Sequence, residues 1–444
     1  MTINMLNLTK LNILDMTESE DDYRFLVETS IPPTYCPKCG TVSNLYKHGK
    51  KDQLFFDLPM HAKRVGIFVK RQRYKCRECN ETFFEDLSDM DESRSVTKRL
   101  IKWIEQSSLK KTFTSIAEEI GINEKTVRNI FNDYITELES QQDFRTPKWL
   151  GIDEVHLLRN YRCVITDVEN KSVIDLLRNR NQDTVIHYLS QLPNHKRIKY
   201  VAMDMWNPYR RAVKTVLPDA TIVIDKFHVV KMANEALEKI RKSNREIITA
   251  KERRQLKKDR FVLLTRKSEI NDFDDQLKLQ LWTDNFPLLG KGYELKEKFF
   301  DIYEAKSMAE AYRLYQSWLT EVPKELMPYF DPLIKSMNNW EEEIFNYFNV
   351  SITNAYTESL NNLIKVTNKI GRGYSFEALR AKILFTQGYR KIKKKKKFKE
   401  VSTTFDKMYD LQNIPHRPAF KWVYEEIYGA NISTLTKAME EGSF

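Results

Sequence analysis

The sequence of 444 residues contains no long hydrophobic run. No segment approaches the roughly 18 consecutive apolar residues that a membrane-spanning helix requires. Residues 1–15 also lack the basic-then-apolar order of a signal peptide. These two absences argue against a membrane protein and predict a cytoplasmic location. A hydrophobic fraction of 41% and a charged fraction of 30% are typical of a globular protein, and the length allows roughly two to four domains.

Cysteine is scarce, and its five residues are unevenly spread. Cys36 and Cys39 form one C-x-x-C pair, Cys76 and Cys79 form another, and Cys163 stands alone in a strand-like run. In a reducing compartment, two such pairs indicate a bound metal rather than disulfides. Four thiolates in a tetrahedron suit Zn²⁺, so the four paired cysteines are predicted to hold a structural zinc ion.

The interval between the two cysteine pairs, residues 40–75, is longer than in ordinary zinc ribbons. A strand pattern from Val65 to Tyr74 within it predicts a hairpin that brings the pairs together. Gly40 and Asn80 each follow the second cysteine of a pair, where a tight turn needs positive φ. Three alternatives remain open: the pairs are unrelated surface features, a pair is a redox-active CxxC, or His48 and His61 are alternative ligands. A redox role is disfavoured, because neither pair opens a helix after a strand.

Acidic residues are outnumbered by basic ones. The 73 Lys and Arg residues against 62 Asp and Glu residues give a net charge of +11, which favours a partner that carries phosphates. The most basic segment runs from Lys391 to Lys399. It is interpreted either as a solvated helix end or as a contact with the DNA backbone.

Residues 113–131 match a helix-turn-helix, preceded by a helix predicted over 96–107. Ala117 is small where the two helices touch, Gly121 makes the turn, and Asn123 can cap the second helix. Outward-facing residues of that second helix can contact base edges or phosphates in the major groove. They are Glu124, Lys125, Thr126, Arg128 and Asn129. The alternative is a helical hairpin that contacts no DNA, which the neighbouring cysteine pairs and the basic charge make less favoured.

The order of elements after residue 147 predicts a ribonuclease H-like core. Strand-like runs at 150–158, 161–168 and 172–177 are separated by short turns, which is typical of an antiparallel meander. A helix over 183–192, a strand at 200–203, a helix over 208–216 and a strand at 221–224 follow. From residue 251 to residue 348 the pattern stays helical, which predicts an all-α insertion.

An aspartate stands where each of three core strands ends its apolar run: Asp153, Asp204 and Asp225. In this fold the strands of Asp153 and Asp204 are neighbours about 5 Å apart, which suits carboxylates that share metal ions roughly 4 Å apart. Asp225 would lie about 10 Å from Asp153, so Asp225 and His228 are predicted to support the site. Hard oxygen ligands select Mg²⁺ or Mn²⁺. Glu154 alternates to the opposite face of its strand.

A further helix follows Asn354, which is a plausible cap, and it places Glu358 in its first turns. Asn361 and Lys365 lie one to two turns further along and are predicted to support the site. A Gly-Arg-Gly turn at 371–373 ends this helix, and another helix is predicted over 376–385.

These motifs together resemble the ISL-three (ISL3) family of bacterial insertion-sequence transposases, which are DDE enzymes. The motifs are Gly151-Ile-Asp-Glu, Met203-Asp-Met-Trp with Tyr209, Asp225-Lys-Phe-His-Val, and Thr357-Glu-Ser-Leu-Asn with Asn354 and Lys365. The four-cysteine module and the helix-turn-helix are also similar to those of the family, and the resemblance covers roughly residues 30–395. It implies Asp153, Asp204 and Glu358 as a catalytic, metal-binding triad.

The resemblance implies an enzyme that uses Mg²⁺ or Mn²⁺ to cut DNA at the terminal inverted repeats of the element and to join the ends to target DNA. It also implies that the N-terminal modules bind the repeats and that a homodimer or larger assembly acts near the nucleoid. Tryptophans of the insertion are predicted either to stack on a flipped base or to fill the core; they are Trp282, Trp318 and Trp340. The alternatives are a domesticated, non-catalytic DNA-binding regulator and a ribonuclease H-like nuclease.

The fold class predicted is therefore multidomain α+β: a zinc-binding module, a helix-turn-helix, and a ribonuclease H-like α/β core interrupted by an all-α insertion. The predicted segments are 1–88 for the zinc module, 96–146 for the helix-turn-helix, 147–250 and 349–400 for the two parts of the core, 251–348 for the insertion, and 401–444 for a C-terminal tail. Residues 89–95 are predicted to be a linker.

Overall fold

A computed structural model describes residues 5–42, 44–140, 146–243 and 248–388. The predicted basic segment from Lys391 to Lys399 and the tail 401–444 lie outside these residues. Within them the chain forms two compact units. The first contains the described residues up to 140 together with Ile370–Thr386, and the second contains those from 146 to 369 with 387 and 388. In the described part of the chain, no helix is long and apolar enough to cross a membrane.

The first unit is built on a sheet with the order β1-β2-β4-β3-β7-β6, and β5 pairs with β4. The strands are β1 (Leu11–Glu18), β2 (Asp22–Thr29), β3 (Leu45–Met60), β4 (Lys63–Cys76), β5 (Thr82–Phe84), β6 (Met90–Asp91) and β7 (Val96–Thr97). β3 and β4 pair antiparallel as the predicted hairpin. Alternate residues of β2 and β4, such as Phe25 and Ile67, are buried in one hydrophobic core on a single face of the sheet, because side chains along a strand point to opposite faces in turn.

Residues 89–95 are a short hairpin and not the predicted linker. β6 pairs antiparallel with β7, and Val96 of β7 continues the main sheet by pairing with Phe56. The first helix therefore begins at Lys98, two residues later than predicted. Thr97 caps it, and the buried carboxylate of Asp57 accepts a hydrogen bond of 2.6 Å from the Thr97 hydroxyl.

The helices of the first unit are α1 (Lys98–Ser108), α2 (Phe113–Ile120), α3 (Glu124–Ser140) and α16 (Phe376–Gln387). Gly121 ends α2 with φ of 85°, and the side chain of Asn123 accepts a hydrogen bond from the Lys125 amide. Both features confirm the predicted turn. α16 lies within the span predicted for the second part of the core, but it packs in the first unit: its buried Lys382 donates to the carbonyl of Lys111.

The second unit contains a sheet with the order β10-β9-β8-β11-β12. The strands are β8 (Trp149–Leu157), β9 (Asn160–Asp167), β10 (Ser172–Leu177), β11 (Tyr200–Met203) and β12 (Thr221–Ile224). The first three form an antiparallel meander, and β11 pairs in parallel with β8 on one side and with β12 on the other. With α4 (Gln182–Gln191) and α5 (Asn207–Val216), this is the predicted order of elements.

Between β12 and the helix that begins at Ala355, the described residues form helices joined by loops and contain no strand, as predicted. These helices are α6 (Lys226–Ser243), α7 (Ala250–Lys258), α8 (Arg260–Leu264), α9 (Phe273–Asn285), α10 (Pro287–Ile302), α11 (Met308–Glu321), α12 (Met327–Asn339), α13 (Glu341–Phe345) and α14 (Tyr347–Val350), followed by α15 (Ala355–Gly371). One hydrophobic core runs from Ile152 of the sheet through α6 to Trp318 of α11, so the insertion is packed onto the core.

Candidate active site

The three aspartates lie at the same level of the parallel sheet. Met203 pairs with Ile152 on one side and with Ile224 on the other. Asp153 is the next residue within β8, and Asp204 and Asp225 directly follow β11 and β12, so Asp204 lies between the other two. This register confirms the predicted strand order and puts the carboxylates where parallel strands of α/β sheets present ligands.

Asp153 is 5% exposed and its carboxylate is held from two sides. The Glu154 amide donates to Oδ1 at 2.6 Å, and the Asn361 side-chain amide donates to Oδ2 at 2.7 Å. Burial first, and then the negative charge of Asp204, raise the pKa of Asp153 to about 8. Positive charge placed beside this carboxyl would favour its ionised form.

Asp204 is paired with His228. The Nδ1 atom of His228 lies 2.8 Å from Asp204 Oδ1, which is an ion-pair distance, although the angles at these two atoms miss those of a hydrogen bond. Burial alone would lower the pKa of His228, but the contact with Asp204 and the charges of Asp225 and Asp153 outweigh it and raise this pKa. The contact with Asp204 therefore favours the protonated form of His228.

Asp225 is 2% exposed and is held by backbone amides. The Phe227 amide donates to its Oδ1 at 3.3 Å, and a bond from the Asn354 amide also lowers its pKa. Burial dominates, however, and the pKa of Asp225 is raised overall. Asp225 thus connects the start of α6 to the residue that precedes α15.

Helix α15 carries Glu358 in its first turn, as predicted. Glu358 is half-buried, and burial, followed by the charge of Asp225, raises the pKa of its carboxyl. The same helix carries Asn361, which is 6% exposed, and Lys365, which is exposed. Of the two predicted supporting residues on this helix, Asn361 is the one whose hydrogen bond reaches an aspartate of the sheet.

A buried polar cluster joins α15 to the sheet beneath Asp153. The Thr357 and Thr166 hydroxyls lie 2.7 Å apart, and the Asn354 side chain donates to the carbonyl of Ile152. Gly151 leaves the room for this cluster, because a Cβ there would lie 2.2 Å from Thr166 Oγ1. Asn354 stands directly before α15, as predicted for its cap, and its carbonyl accepts a hydrogen bond from the Glu358 amide, while its side chain forms this link to β8.

The acidic side chains fit a hard divalent cation. Asn361 Oδ1 is a buried oxygen without a hydrogen-bond donor, Asp204 Oδ1 has the ion-pair contact with His228 but no hydrogen bond, and the carboxyls of Asp153 and Glu358 have raised pKa values. A cation would satisfy these oxygens and compensate the like charges. Among the described residues, no three of these side chains bring ligand atoms within 4.8 Å of one another. The carboxylates are therefore gathered less tightly than the cysteines of the first unit.

The four paired cysteines converge in the first unit, and all their Sγ atoms lie within 4.8 Å of one another. Cys36 is 3.7 Å from Cys79, and Cys39 is 3.7 Å from Cys76. Gly40 and Asn80 have positive φ, as the two tight turns require. This is the ligand set of a structural zinc site. It needs neither His48 nor His61.

The second helix of the helix-turn-helix, α3, presents two of its predicted contact residues to solvent. Lys125 and Asn129 are exposed, whereas Thr126 and Arg128 are half-buried. The Arg128 guanidinium pairs with Glu124 at 2.6 Å and lies over the ring of Phe113. Lys125 and Asn129 are thus the side chains best placed to reach a partner.

The three tryptophans of the insertion belong to the core. Trp282, Trp318 and Trp340 are 2–5% exposed. The indole N–H of Trp318 donates to the Leu295 carbonyl, and the Arg210 guanidinium covers the ring of Trp340 at 3.5 Å. Of the two predictions for these residues, packing is the one that the structure shows.

Comparison with known proteins agrees with this arrangement. The model of ISL3-type DDE enzymes, described as "Transposase", matches residues 150–383, which is more than half of the chain. The chain belongs to the ISL3 family of transposases. Two further models match the N-terminal part: "zinc-finger of transposase IS204/IS1001/IS1096/IS1165" over residues 32–79 and "Helix-turn-helix domain of transposase family ISL3" over residues 85–135.

One curated relative of this ISL3 transposase is the transposase for insertion sequence element IS1001 from Bordetella parapertussis. The two are 25% identical over 347 residues, which span 76% of this chain and 85% of that protein. The predicted family, its DNA-transposase function and its order of zinc finger, helix-turn-helix and DDE domain are confirmed by these matches.

Two features of the site had no signal in the sequence. The cluster of Gly151, Thr166, Asn354 and Thr357 depends on hydrogen bonds between residues up to 202 positions apart. The sequence predicts only that Glu154 faces away from Asp153 on its strand. In the structure its side chain forms an ion pair with Arg180.

Proposed function

We propose that this transposase cuts DNA at the ends of its insertion sequence and joins the freed 3′-hydroxyl groups to target DNA, with Asp153, Asp204 and Glu358 as the catalytic carboxylates. The observation that carries the proposal is the register of β8 and β11, which sets Asp153 and Asp204 side by side. The hydrogen bond from Asn361 to Asp153 adds the helix of Glu358 to this edge of the sheet.

The three carboxylates would hold Mg²⁺ or Mn²⁺, which supplies activation of the attacking water or 3′-hydroxyl and stabilisation of the leaving oxygen. Asn361 fixes the orientation of Asp153. His228 balances the charge of Asp204, and Asp225 holds the start of α6 against the loop before α15. Lys365 is exposed on α15 and would contact the DNA backbone.

The first unit would bind the terminal inverted repeats. Lys125 and Asn129 of α3 face solvent, with Thr126 and Arg128 beside them. The zinc module adds a second basic surface, because residues 46–52 of β3 are all exposed and include Lys47, Lys50 and Lys51. Two repeat ends must meet for transposition, so the enzyme would act as a homodimer or larger on double-stranded DNA.

The test uses purified protein with Mg²⁺ and a plasmid that carries the repeats of the element, beside Glu358→Gln. Nicking at the repeat ends and strand joining, both lost in Glu358→Gln, are expected. Asn362→Ala, an exposed neighbour of Asn361 on the same helix, should keep both activities. Cutting without joining would indicate a nuclease, and binding without cutting in either protein would indicate a regulator.

A further inference from the structure

A stack of three side chains stands at the edge of the candidate active site. The Arg180 guanidinium lies over the ring of Tyr161 at 4.1 Å and over the ring of Trp206 at 4.4 Å. Trp206 is two residues after Asp204, and its amide donates to the Asp204 carbonyl at 2.7 Å. The stack therefore begins at the turn that presents a proposed catalytic carboxylate.

An ion pair with a neighbouring carboxylate holds the arginine of the stack in place. Arg180 forms an ion pair with Glu154, the residue after Asp153. Because Glu154 neutralises the guanidinium, Arg180 is better suited to fixing the two rings than to attracting a phosphate. A ring held in place binds a ligand at a smaller cost in conformational entropy than a free one.

The aromatic rings of the stack nevertheless remain open to solvent. Tyr161 is 48% exposed and Trp206 is 38% exposed, whereas the tryptophans of the insertion are at most 5% exposed. An indole that is held in place and also exposed offers a flat π surface. Such a surface binds nucleobases of any sequence by stacking, since every base has a π face.

We propose that Trp206, held by Arg180, is the stacking surface for an unpaired nucleobase of the DNA strand next to the phosphodiester bond that is cut. The stacked base would hold the strand in register with the carboxylates. The ligand is single-stranded or locally unpaired DNA, and fully paired DNA would not use this surface. The proposal rests on the proposed function, because it assigns the position of the substrate in that same site.

The experiment uses the full-length protein and an oligonucleotide of the repeat end with a short unpaired flank. A fluorescent base analogue, 2-aminopurine, replaces one nucleotide at a time around the cleavage point, and its emission falls when it stacks on an indole. Measurements are made in a Glu358→Gln background, so that the DNA is not consumed. Trp206→Ala and Trp206→Phe are compared with Phe273→Ala, which removes an aromatic ring that is 69% exposed on α9.

Binding should reduce the emission at one or two adjacent positions. Trp206→Ala should abolish that decrease and weaken binding of the unpaired DNA by about tenfold, which is the size of one lost base stack. Affinity for the fully paired repeat should not change. Trp206→Phe should keep most of the effect, and Phe273→Ala should keep all of it. Arg180→Lys keeps the charge but loses the planar group that holds the indole, so binding should lower the emission less than it does with Arg180 present.

An unchanged decrease in emission in Trp206→Ala would overturn the stacking proposal. An equal loss of affinity for paired and unpaired DNA in Trp206→Ala would also overturn it, because that result is expected if Trp206 only holds the neighbouring loops together. Cleavage of the repeat by the wild-type protein, measured in parallel, separates the two proposals. Cleavage with no emission change at any position overturns stacking alone, whereas absence of both binding and cleavage overturns the proposed function and stacking with it.

Discussion

Asn361 donates a hydrogen bond of 2.7 Å from its side-chain amide to Asp153, 208 positions earlier in the chain. The same amide also reaches the Glu154 carbonyl at 3.2 Å. The helix that carries Glu358 is thereby joined directly to the strand that carries Asp153. The two carboxylates come from opposite sides of the insertion, so their relative position depends on this link.

Asn361→Ala should weaken the metal dependence of cleavage while leaving the fold intact. Residues that orient a ligand typically change metal affinity by at least about tenfold when removed, so the Mg²⁺ concentration for half-maximal cleavage should rise by about that factor. Asn362→Ala is the matched control, because Asn362 is exposed on the next position of the helix. An unchanged Mg²⁺ titration in Asn361→Ala would show that Asp153 is positioned without this bond.

Gly151→Ala should destabilise the second unit. Its Cβ would lie 2.2 Å from Thr166 Oγ1 and 2.7 Å from Asn354 Oδ1, so the cluster below Asp153 must move. Overpacking of this kind costs about 1–3 kcal/mol. Thermal unfolding should show a lower Tm than the wild type, whereas Gly66→Ala, whose nearest contact would be 3.3 Å, should change it less. Equal Tm values for the wild type and Gly151→Ala would contradict the packing described for this cluster.

Local patterns in the sequence predict the strands, the helix-turn-helix and the acids, because each depends on neighbouring residues. The apolar runs at the start of β8 and along β11 and β12 locate Asp153, Asp204 and Asp225 without any knowledge of the fold. Contacts between distant segments leave no such pattern. The amide of Asn361, the hydroxyl of Thr166 and the guanidinium of Arg180 acquire their roles only when the chain has folded.

The hairpin of β6 and β7 was also not predictable from local sequence. Residues 89–95 are acidic and rich in turn-forming types, so they resemble a linker. Tertiary pairing with Phe56 of β3 makes Val96 part of the sheet instead. A strand of two residues has too few side chains for a periodic signal, so its partner decides its structure.

Removal of zinc should unfold the four-cysteine module. Zinc binding by such modules contributes directly to the free energy of folding, and Cys76→Ser should therefore lose bound zinc and expose the β3–β4 hairpin to proteolysis. Cys163→Ala is the control, because Cys163 is buried in the sheet of the second unit and does not belong to the cluster, so it should leave the zinc content at one ion per chain. Retention of zinc by Cys76→Ser would contradict the four-cysteine assignment.

Lys125→Ala should weaken binding of the repeat DNA and reduce its salt dependence. A lysine that contacts a phosphate releases about one counterion, so the slope of log affinity against log salt should fall by about one. Asn129→Ala should instead relax the preference for the repeat over unrelated DNA, with little change in that slope. Arg128 is engaged by Glu124 and Phe113, so Arg128→Ala should have the smaller effect on the slope. Equal slopes for Lys125→Ala and the wild type would show that Lys125 contacts no phosphate.

The pKa of Asp153 predicts the pH dependence of metal binding. Burial and the charge of Asp204 raise this pKa to about 8, above the value of about 3.9 in an unfolded chain. At a pH between these two pKa values, the folded protein keeps the proton of Asp153 and the unfolded chain has lost it. The free energy of unfolding of the metal-free protein should therefore fall as the pH rises from about 4 to about 8. Asp153→Asn should remove that part of the slope of unfolding free energy against pH.

Metal binding requires the carboxylate, so below about pH 8 it must release the proton of Asp153. The apparent affinity for Mn²⁺ should rise by up to tenfold per pH unit and then level off, and calorimetry in buffers of different ionisation enthalpy should detect close to one proton released per site. Asp204→Asn removes the neighbouring charge, so the metal-free pKa of Asp153, followed by carboxyl NMR, should fall. A pKa unaffected by Asp204→Asn would mean that burial alone raises it, and that the two carboxylates are too far apart to share a cation.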